Sequence, residues 1–366
     1  MRKSSKVIIL VLCISVFFIG GVYATLKIIE RVQGQAQLTP TFTQSIGDND
    51  INSIWVGSFQ IAWNEFMDTR VKGSVEFEDG ESKLAIELNK RMFTKDMLSS
   101  EDYYIKIGET SNKLKSEIES EIKERFGIEN SSALDKINFD VDEKSKSYTI
   151  YSVLYKNFKF LTPFDRLYAT PFNESEEVVR YFGINNASSE DLNKNVKVLF
   201  YNDRTDFAVS LKTIENEDVI LYCNDSNSAF NDLYNEVKSK ANAYKGNRNF
   251  KKNDLLTVPY INIDTIINYG ELCGREIKDT DGLYITNAIQ NVKFSLDETG
   301  GNLVSEAGIK DEYQSFSDEA RYFCLNKPFI LFLKESDKDL PCFALKVDNT
   351  DILVKSSKEE NKQILN

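Results

Sequence analysis

Apolar residues in the first half of the chain recur at three- and four-residue steps, the spacing of amphipathic helices. This spacing predicts helices beginning at Asn52 and over 82–92 and 102–126, with Gly127 ending the third. The apolar face of the third helix is expected to carry Leu114, Ile118, Ile122 and Phe126. The N-terminal part of the chain is therefore predicted to be helical.

From Tyr148 onward the apolar period changes towards two, which is typical of strands. The predicted strands are 148–155, 196–201, 207–211, 219–222, 255–263 and 292–296, and one further helix is predicted over 228–243. Because helices come first and strands later, with few β-α-β alternations, the pattern favours an α+β fold over a doubly wound one.

A long polar segment interrupts the strands near the C-terminus. The 292–296 strand ends at Asp297, and the glycine pair Gly300-Gly301 permits backbone angles that are closed to other residues. The chain then stays mostly polar until a buried apolar run over 328–333. Loops of this length inside a compact domain are uncommon and usually functional or disordered. The pattern therefore predicts a loop presented between two strands.

The N-terminal residues are predicted to be a membrane anchor or an export signal. Residues 1–6 carry three basic side chains, and residues 7–26 carry no charge and are long enough to span a bilayer as a helix. We predict a cytoplasmic stub over 1–6 and a transmembrane anchor over 7–26. A cleavable signal peptide is the alternative, because Val22-Tyr23-Ala24 offers small residues at a cleavage position. The remainder is extracytoplasmic in both cases, either membrane-anchored or secreted.

The rest of the chain divides by composition. Residues 27–52 have little apolar periodicity and are predicted to be a linker. A folded domain is predicted over 53–348, followed by a polar tail over 349–366. The 41% of hydrophobic residues is ample for a packed core in this domain.

The composition also excludes several classes of function. The chain has no histidine, so Ser-His-Asp catalysis, Cys-His catalysis and histidine metal ligands are impossible. Its net charge of −12 argues against binding to nucleic acid, whose phosphates would repel it. We therefore predict a protein that is not an enzyme and uses neither a metal nor a cofactor.

Cysteine usage is less decisive. Cys13 lies in the apolar leader, and the remaining cysteines are Cys223, Cys273, Cys324 and Cys342. Four cysteines allow two disulfides, but a domain with an ample core does not need them. Buried free thiols are the favoured interpretation.

Segments on both sides of the polar loop resemble a known family. Residues 283–292 (LYITNAIQNV), followed by 297–300 (DETG), resemble the run before the reactive-centre loop of serpins. Residues 326–332 (NKPFILF), followed by 343–347 (FALKV), are similar to the strands after that loop. The resemblance implies a serpin-like α+β fold over 53–348, with N-terminal helices, a large mixed central sheet, further sheets and an exposed loop.

In serpin inhibitors a protease cleaves the loop, and the N-terminal half of the loop then inserts into the central sheet as a new strand. The resemblance therefore implies a monomeric inhibitor of an extracytoplasmic serine or cysteine protease, without catalytic residues of its own. The implied hinge residues are Glu298, Gly300, Gly301, Leu303, Ser305 and Ala307. The implied scissile region is Tyr313, Gln314 and Ser315.

The alternation of the loop is compatible with insertion, because strand side chains point to opposite faces with period two. The uncharged positions Gly301, Leu303, Ser305, Ala307 and Ile309 fall on one face. The other face holds Asn302, Val304, Glu306, Gly308 and Lys310 and carries both charges.

Departures from the family pattern keep other functions open. Gly301 stands where inhibitory serpins resemble one another in Thr or Ser, and 303–306 (LVSE) replaces their alanine run. Ser152 stands at the family's sheet-opening Asn, and Phe160 at its Trp. A non-inhibitory serpin-like binding protein, or an anchored envelope interaction protein of unrelated fold, are the alternatives.

Overall fold

A computed structural model describes residues 36–46, 50–128, 134–141, 146–301 and 320–356. The chain divides into two units, Met1–Gln35 and Ala36–Asn366, and all the described residues belong to the second. The predicted stub over 1–6 and anchor over 7–26 lie outside them. Within these ranges no helix has both the length and the apolar character needed to cross a membrane.

The helices are short and mostly precede the main strands. In order they are α1 (Gly57–Phe66), α2 (Lys83–Leu88), α3 (Asn112–Phe126) and α4 (Phe230–Ala243). A π-helical turn, Met67–Val71, extends α1. Short 3₁₀ turns lie at Lys95–Met97, Leu134–Lys136, Glu190–Asn195 and Gly270–Leu272.

The strands form most of the rest. In order they are β1 (Gln37–Leu38), β2 (Ser53–Val56), β3 (Tyr103–Glu109), β4 (Ser147–Tyr155), β5 (Phe158–Lys159), β6 (Asp165–Pro171), β7 (Val178–Ile184), β8 (Val196–Tyr201), β9 (Phe207–Lys212), β10 (Glu217–Cys223), β11 (Leu255–Pro259), β12 (Ile261–Asn268), β13 (Tyr284–Leu296), β14 (Gly300–Gly301), β15 (Tyr322–Cys324), β16 (Phe329–Glu335) and β17 (Phe343–Val347). The predicted α+β class is confirmed.

The central sheet has the strand order β12-β13-β4-β3. Its two middle strands, β13 and β4, run parallel and pair directly, from Tyr284 opposite Ser147 to Lys293 opposite Tyr155. The outer strands are antiparallel to their neighbours, so the sheet is mixed. We call the junction between β13 and β4 the seam.

Helices cover both faces of the seam. On one face, buried side chains of α1 pack with Ile150 of β4 and Ala288 of β13. On the other face, the apolar stripe of α3 packs on Tyr151 and Ile289. Alternate residues of each strand point to opposite faces, so both middle strands are buried on both sides.

The other sheets surround this layer. The seven-stranded sheet has the order β1-β2-β17-β16-β10-β9-β8, and the end sheet has the order β15-β11-β7-β6. Residues Phe329–Leu333 of β16 are all buried, because β16 lies in the middle of the seven-stranded sheet. This position explains the continuous apolar run in the sequence. Strands β14 and β5 form a two-stranded sheet of their own.

The predicted third helix began too early. Residues 103–109 form strand β3, and α3 starts only at Asn112, where the Ser111 hydroxyl accepts a hydrogen bond from the Leu114 N–H at 3.2 Å. Gly127 ends α3 with φ of 65°, as predicted. The prediction included β3 in the helix because the strand is short and adjoins a strongly periodic helix, so its own period of two was not recognised.

The folded unit extends beyond the predicted 53–348 at both ends. In the predicted linker over 27–52, β1 pairs in parallel with β2, and Phe42 is buried against Trp55, with ring centroids 4.5 Å apart. In the predicted tail over 349–366, Ile352 and Leu353 are buried. Both segments bury isolated apolar side chains, which leave no periodic signal in the sequence.

The four cysteines in the described residues, Cys223, Cys273, Cys324 and Cys342, are free thiols. Cys223 and Cys342 are buried, and Cys273 and Cys324 are half-buried. Burial raises the pKa of the Cys223 and Cys342 thiols to about 12. These thiols are therefore protonated at neutral pH, as expected of structural cysteines.

Candidate functional site at the base of the loop

The candidate site begins where β13 ends and the chain reverses direction. The Asp297 carboxylate accepts hydrogen bonds from the Thr299 N–H at 2.7 Å and the Thr299 hydroxyl at 2.6 Å. The Asp297 N–H donates to the carbonyl of Gly300 at 2.9 Å. Aspartate stabilises tight turns in this way because its side chain reaches backbone N–H groups two residues ahead. The turn points the chain back along the central sheet.

The two glycines after the turn pair with the chain that continues β4. Gly300 lies opposite Lys159, and Gly301 lies opposite Phe158, in antiparallel register. Gly300 has φ of 143°, and a Cβ on it would lie 2.2 Å from the Phe158 carbonyl oxygen. Only glycine combines this backbone angle with so close an approach. Glycine is therefore required at position 300 by the geometry of this turn.

Glu298 ties the turn to the end sheet and to the junction between β11 and β12. Its side chain is buried, and its carboxylate accepts from Arg166 Nε at 2.7 Å and from the Tyr260 hydroxyl at 2.5 Å. Arg166 belongs to β6, and Tyr260 lies between β11 and β12. Burial, and then the hydrogen bond to Glu298, raises the pKa of Tyr260, so its hydroxyl stays a donor. A buried carboxylate needs such partners, because an unpaired buried charge is costly.

Residues 297–301, which we call the hinge after the predicted role of Glu298 and the two glycines, lie at one end of the seam. Strand β14 is antiparallel to β5, which continues β4, and is bridged on its other side to Asp297 at the end of β13. A chain continuing from Gly301 in the same direction would run between β13 and β4, antiparallel to both. The direction of the chain at Gly301 therefore leads towards the seam.

A buried polar group lies in the seam on the α1 side. Gln290 of β13 lies opposite Ser152 of β4. The Gln290 side-chain amide donates to the Val56 carbonyl at 3.0 Å, and its oxygen accepts from the Tyr269 hydroxyl at 2.5 Å. These bonds satisfy polar atoms that burial would otherwise leave unpaired. The network attaches β13 to the start of α1.

The far end of the loop is also fixed. The Arg321 guanidinium donates to the buried Asp254 carboxylate at 2.6 Å and to the carbonyls of Asn247 and Asn249 at 2.6 Å each. Strand β15 follows and pairs in parallel with β11. The chain between Gly301 and Arg321 therefore runs between two anchored ends.

The predicted site residues are only partly described. Glu298, Gly300 and Gly301 are brought together at the hinge. The remaining predicted hinge residues, Leu303, Ser305 and Ala307, and the predicted scissile residues, Tyr313, Gln314 and Ser315, lie outside the described residues. Their roles stay predictions.

Sequence reasoning missed Arg166, Tyr260 and Gln290. Arg166 and Tyr260 are 132 and 38 residues from Glu298 along the chain, and no local pattern links them. Gln290 left a signal that was available, because it is a polar residue at an inward position between the apolar Ala288 and Val292. Such a residue needs buried partners.

Comparison with known proteins supports the fold and little more. No family model matches the chain, and no curated protein matches it at the significance required. The chain is similar to the solved structure of a serpin from the trematode Schistosoma haematobium, with TM-score 0.50 and 13% identity, over 82% of this chain and 94% of that one.

Two other solved structures match less well. A highly specific serpin of the insect Tenebrio molitor has TM-score 0.41 and 16% identity, over 81% of this chain and 74% of that one. Human thyroxine-binding globulin complexed with thyroxine has TM-score 0.43 and 11% identity, over 80% and 98%. At such identities likeness concerns the fold alone. On the match to the trematode protein and the mixed central sheet, this chain has a serpin-like fold.

Proposed function

We propose that this chain is an extracytoplasmic inhibitor of a serine or cysteine protease that acts through cleavage and insertion of its loop. The target protease cuts the segment between Gly301 and Arg321. The N-terminal half of the cut segment then enters the seam as a new strand between β13 and β4. The single observation that carries the proposal is the pairing of Gly300 and Gly301 with β5 at the end of the seam.

The register of this pairing supports the predicted alternation. Gly301 lies directly opposite Phe158, and a Cβ on Gly301 would lie 2.7 Å from the buried Phe158 ring. Directly opposite residues share a face of the sheet. Position 301 therefore faces the core, and in a continued strand the uncharged odd-numbered positions up to Ile309 would face it too.

Cleavage is needed because the far end of the loop is held. Arg321 is bound to Asp254, and the chain beyond it is part of the end sheet. A loop fixed at both ends cannot lay a full-length strand along the seam while its far end stays near β11. A cut frees the N-terminal half while β14 keeps it aligned with the seam.

The test compares the stability of the intact chain and the cut chain. The full-length protein in mild detergent is nicked with a protease, and mass spectrometry confirms a cut within 302–319. We expect the melting temperature to rise on the order of 20 °C, since a new central strand adds buried area and hydrogen bonds. An unchanged or lower melting temperature would contradict insertion.

A second measurement separates an inhibitor from a substrate. Inhibition by trapping leaves the protease acylated, so a band of the summed mass is expected on a denaturing gel when the protein meets its target protease. Cleavage with a rise in melting temperature but without this band would show insertion that is too slow to trap the enzyme.

The second candidate is a non-inhibitory serpin-like binding protein. The observation that favours it is the composition of the hinge, where Gly301 and the run 303–306 (LVSE) depart from the small residues typical of fast insertion. On this alternative the cut chain would show no gain in melting temperature.

A further inference from the structure

A buried lysine lies at the same end of the central sheet as the hinge. Lys156 follows β4 directly, and its side chain is 2% exposed. Its ammonium donates to three carboxylates: Asp102 at 2.5 Å, Glu335 at 3.0 Å and Glu217 at 3.1 Å. Lysine is almost never so buried unless it is paired. We call these four residues the Lys156 cluster.

The three carboxylates come from different parts of the fold. Asp102 precedes β3, and its carbonyl also accepts from the Tyr155 N–H at 2.8 Å. Glu217 begins β10 and Glu335 ends β16, two neighbouring strands of the seven-stranded sheet. The Lys156 cluster thus attaches the ends of both β3 and β4 to the seven-stranded sheet.

This attachment lies beside the seam. Lys156 is two residues from Phe158, which pairs with Gly301 of the hinge. Separation of β4 from β13 requires β4, with β3 paired to it, to move relative to β13. Such a movement would displace Lys156 from carboxylates that are fixed in the strands β10 and β16.

We propose that the Lys156 cluster is a latch that holds β3 and β4 to the seven-stranded sheet and limits how often the seam opens. Lys156 acts as a positioning residue for the sheet, and does not itself touch a protease. The inference goes beyond the proposed function, because it concerns the intact chain and holds whether or not a cut loop inserts.

The charge balance of the Lys156 cluster makes the latch depend on pH. Three carboxylates surround one ammonium, and burial raises the pKa of Asp102 and of Glu217 above their ordinary values. Burial would also raise the pKa of Glu335, but hydrogen bonds from Ser99 and Lys156 outweigh it and hold this pKa below 4.5. Other titratable groups beside the cluster include the Cys342 thiol, protonated at neutral pH, and Glu215 beside Glu217. The Lys334 ammonium also lies beside it and donates to the Glu335 carbonyl at 2.9 Å.

The sign of the pH dependence follows from these directions. A carboxyl whose pKa is raised in the latched state stabilises that state most when it is protonated, and the stabilisation is lost as pH rises through the raised pKa. Glu335 works in the opposite direction, but only below its ordinary value of 4.5. As pH falls through the raised pKa values of Asp102 and Glu217, acidification should therefore tighten the latch and hold the seam closed.

The test is hydrogen exchange of the uncut full-length chain, followed by mass spectrometry of peptides covering 147–155 and 284–293. In Lys156→Met we expect these amides to exchange about tenfold faster than in the wild type, through more frequent local opening. Lys156→Arg keeps the charge and should restore most of the protection. Exchange in Lys156→Met that matches the wild type would overturn the proposal.

Lys346 provides a matched control. It is also a buried lysine, 1% exposed, and pairs with Asp348 at 2.9 Å, but it belongs to β17 rather than to the central sheet. Lys346→Met should leave the protection of 147–155 and 284–293 unchanged. If it speeds exchange there as much as Lys156→Met does, the effect is general destabilisation and the latch is overturned.

A pH series keeps the proposal testable if Lys156→Met fails to fold. In the wild type, protection of the seam amides, corrected for intrinsic exchange rates, should fall as pH rises from the ordinary carboxyl range, about 4, towards about 8. Asp102→Asn removes one excess charge and should flatten this dependence. A wild-type profile that is already flat would overturn the latch. The loop remains uncut throughout, so failure of the insertion test leaves these outcomes readable.

Discussion

Gly301 lies directly opposite Phe158 at the end of the seam, and the space that a side chain on Gly301 would occupy is filled by the buried Phe158 ring. This relationship assigns one face of the hinge to the core. It therefore predicts which residues of a cut loop would become buried if the strand continued along β4.

The first prediction uses two neighbouring residues on opposite faces of that strand. Ser305→Arg would place a charge on the inward face, where an unpaired charge costs several kcal/mol, on the order of 5 kcal/mol. We expect it to abolish the rise in melting temperature after cleavage. Glu306→Arg lies on the outward face and should leave the rise intact.

Both variants are measured by thermal unfolding before and after nicking the loop. The uncut proteins should melt alike, since a charge in the uncut loop need not be buried. If both variants lose the rise equally, or neither does, the assigned register is wrong.

The second prediction concerns the hinge backbone. Gly300→Ala should lower the free energy of unfolding by about 3 kcal/mol, because φ of 143° disfavours alanine and the added Cβ would approach the Phe158 carbonyl. Gly127→Ala is the control, since φ there is 65° and nothing lies within 4 Å of the added Cβ. It should cost only about 1 kcal/mol. Urea denaturation measures both, and equal losses would contradict the close approach at Gly300.

The third prediction is a coupling between Arg166 and Glu298. Arg166→Met leaves the buried Glu298 carboxylate without its cationic partner and should cost about 3 kcal/mol of unfolding free energy. The double variant with Glu298→Gln should cost less than the sum of the single variants, by about 1 kcal/mol or more. Strict additivity in urea denaturation would show that the pair does not fix the hinge.

The fourth prediction concerns the thiols. A denatured, unreduced sample should show free thiols at Cys223, Cys273, Cys324 and Cys342, since none is paired in the structure. In the native protein Cys223 and Cys342 should react much more slowly than the half-buried Cys273, because their side chains are buried and the reagent cannot reach them. Alkylation with mass spectrometric mapping identifies each site. Protection of any two cysteines in the denatured sample would indicate a disulfide.

Much of the local structure was readable from the sequence. The spacing of apolar residues predicted the buried face of α3, and the glycine at position 127 predicted where the helix ends. The strand ranges 148–155 and 196–201 were predicted within a residue of β4 and β8. The sequence also predicted a change of backbone conformation at the glycine pair, and Gly300 does adopt a φ of 143°, which is closed to most other residues.

Other features left little trace in local sequence. Strand β3 was predicted as part of a helix because it is short and adjoins a strongly periodic helix. The segment 36–46 was predicted as linker because its isolated apolar side chains have no measurable period. Their structure depends on partners, β4 for the first and β2 for the second, that lie elsewhere in the chain.

The sequence by itself determined which residues are small, charged or apolar at the hinge, and with what alternation. Only the tertiary structure decided that Glu298 meets Arg166, that β13 and β4 lie side by side, and that Lys156 meets three carboxylates. The physical reason is that the spacing of apolar residues along the chain shows which face of a helix or strand is buried. The residues that pack on that face come from distant segments, and only the tertiary structure brings them together.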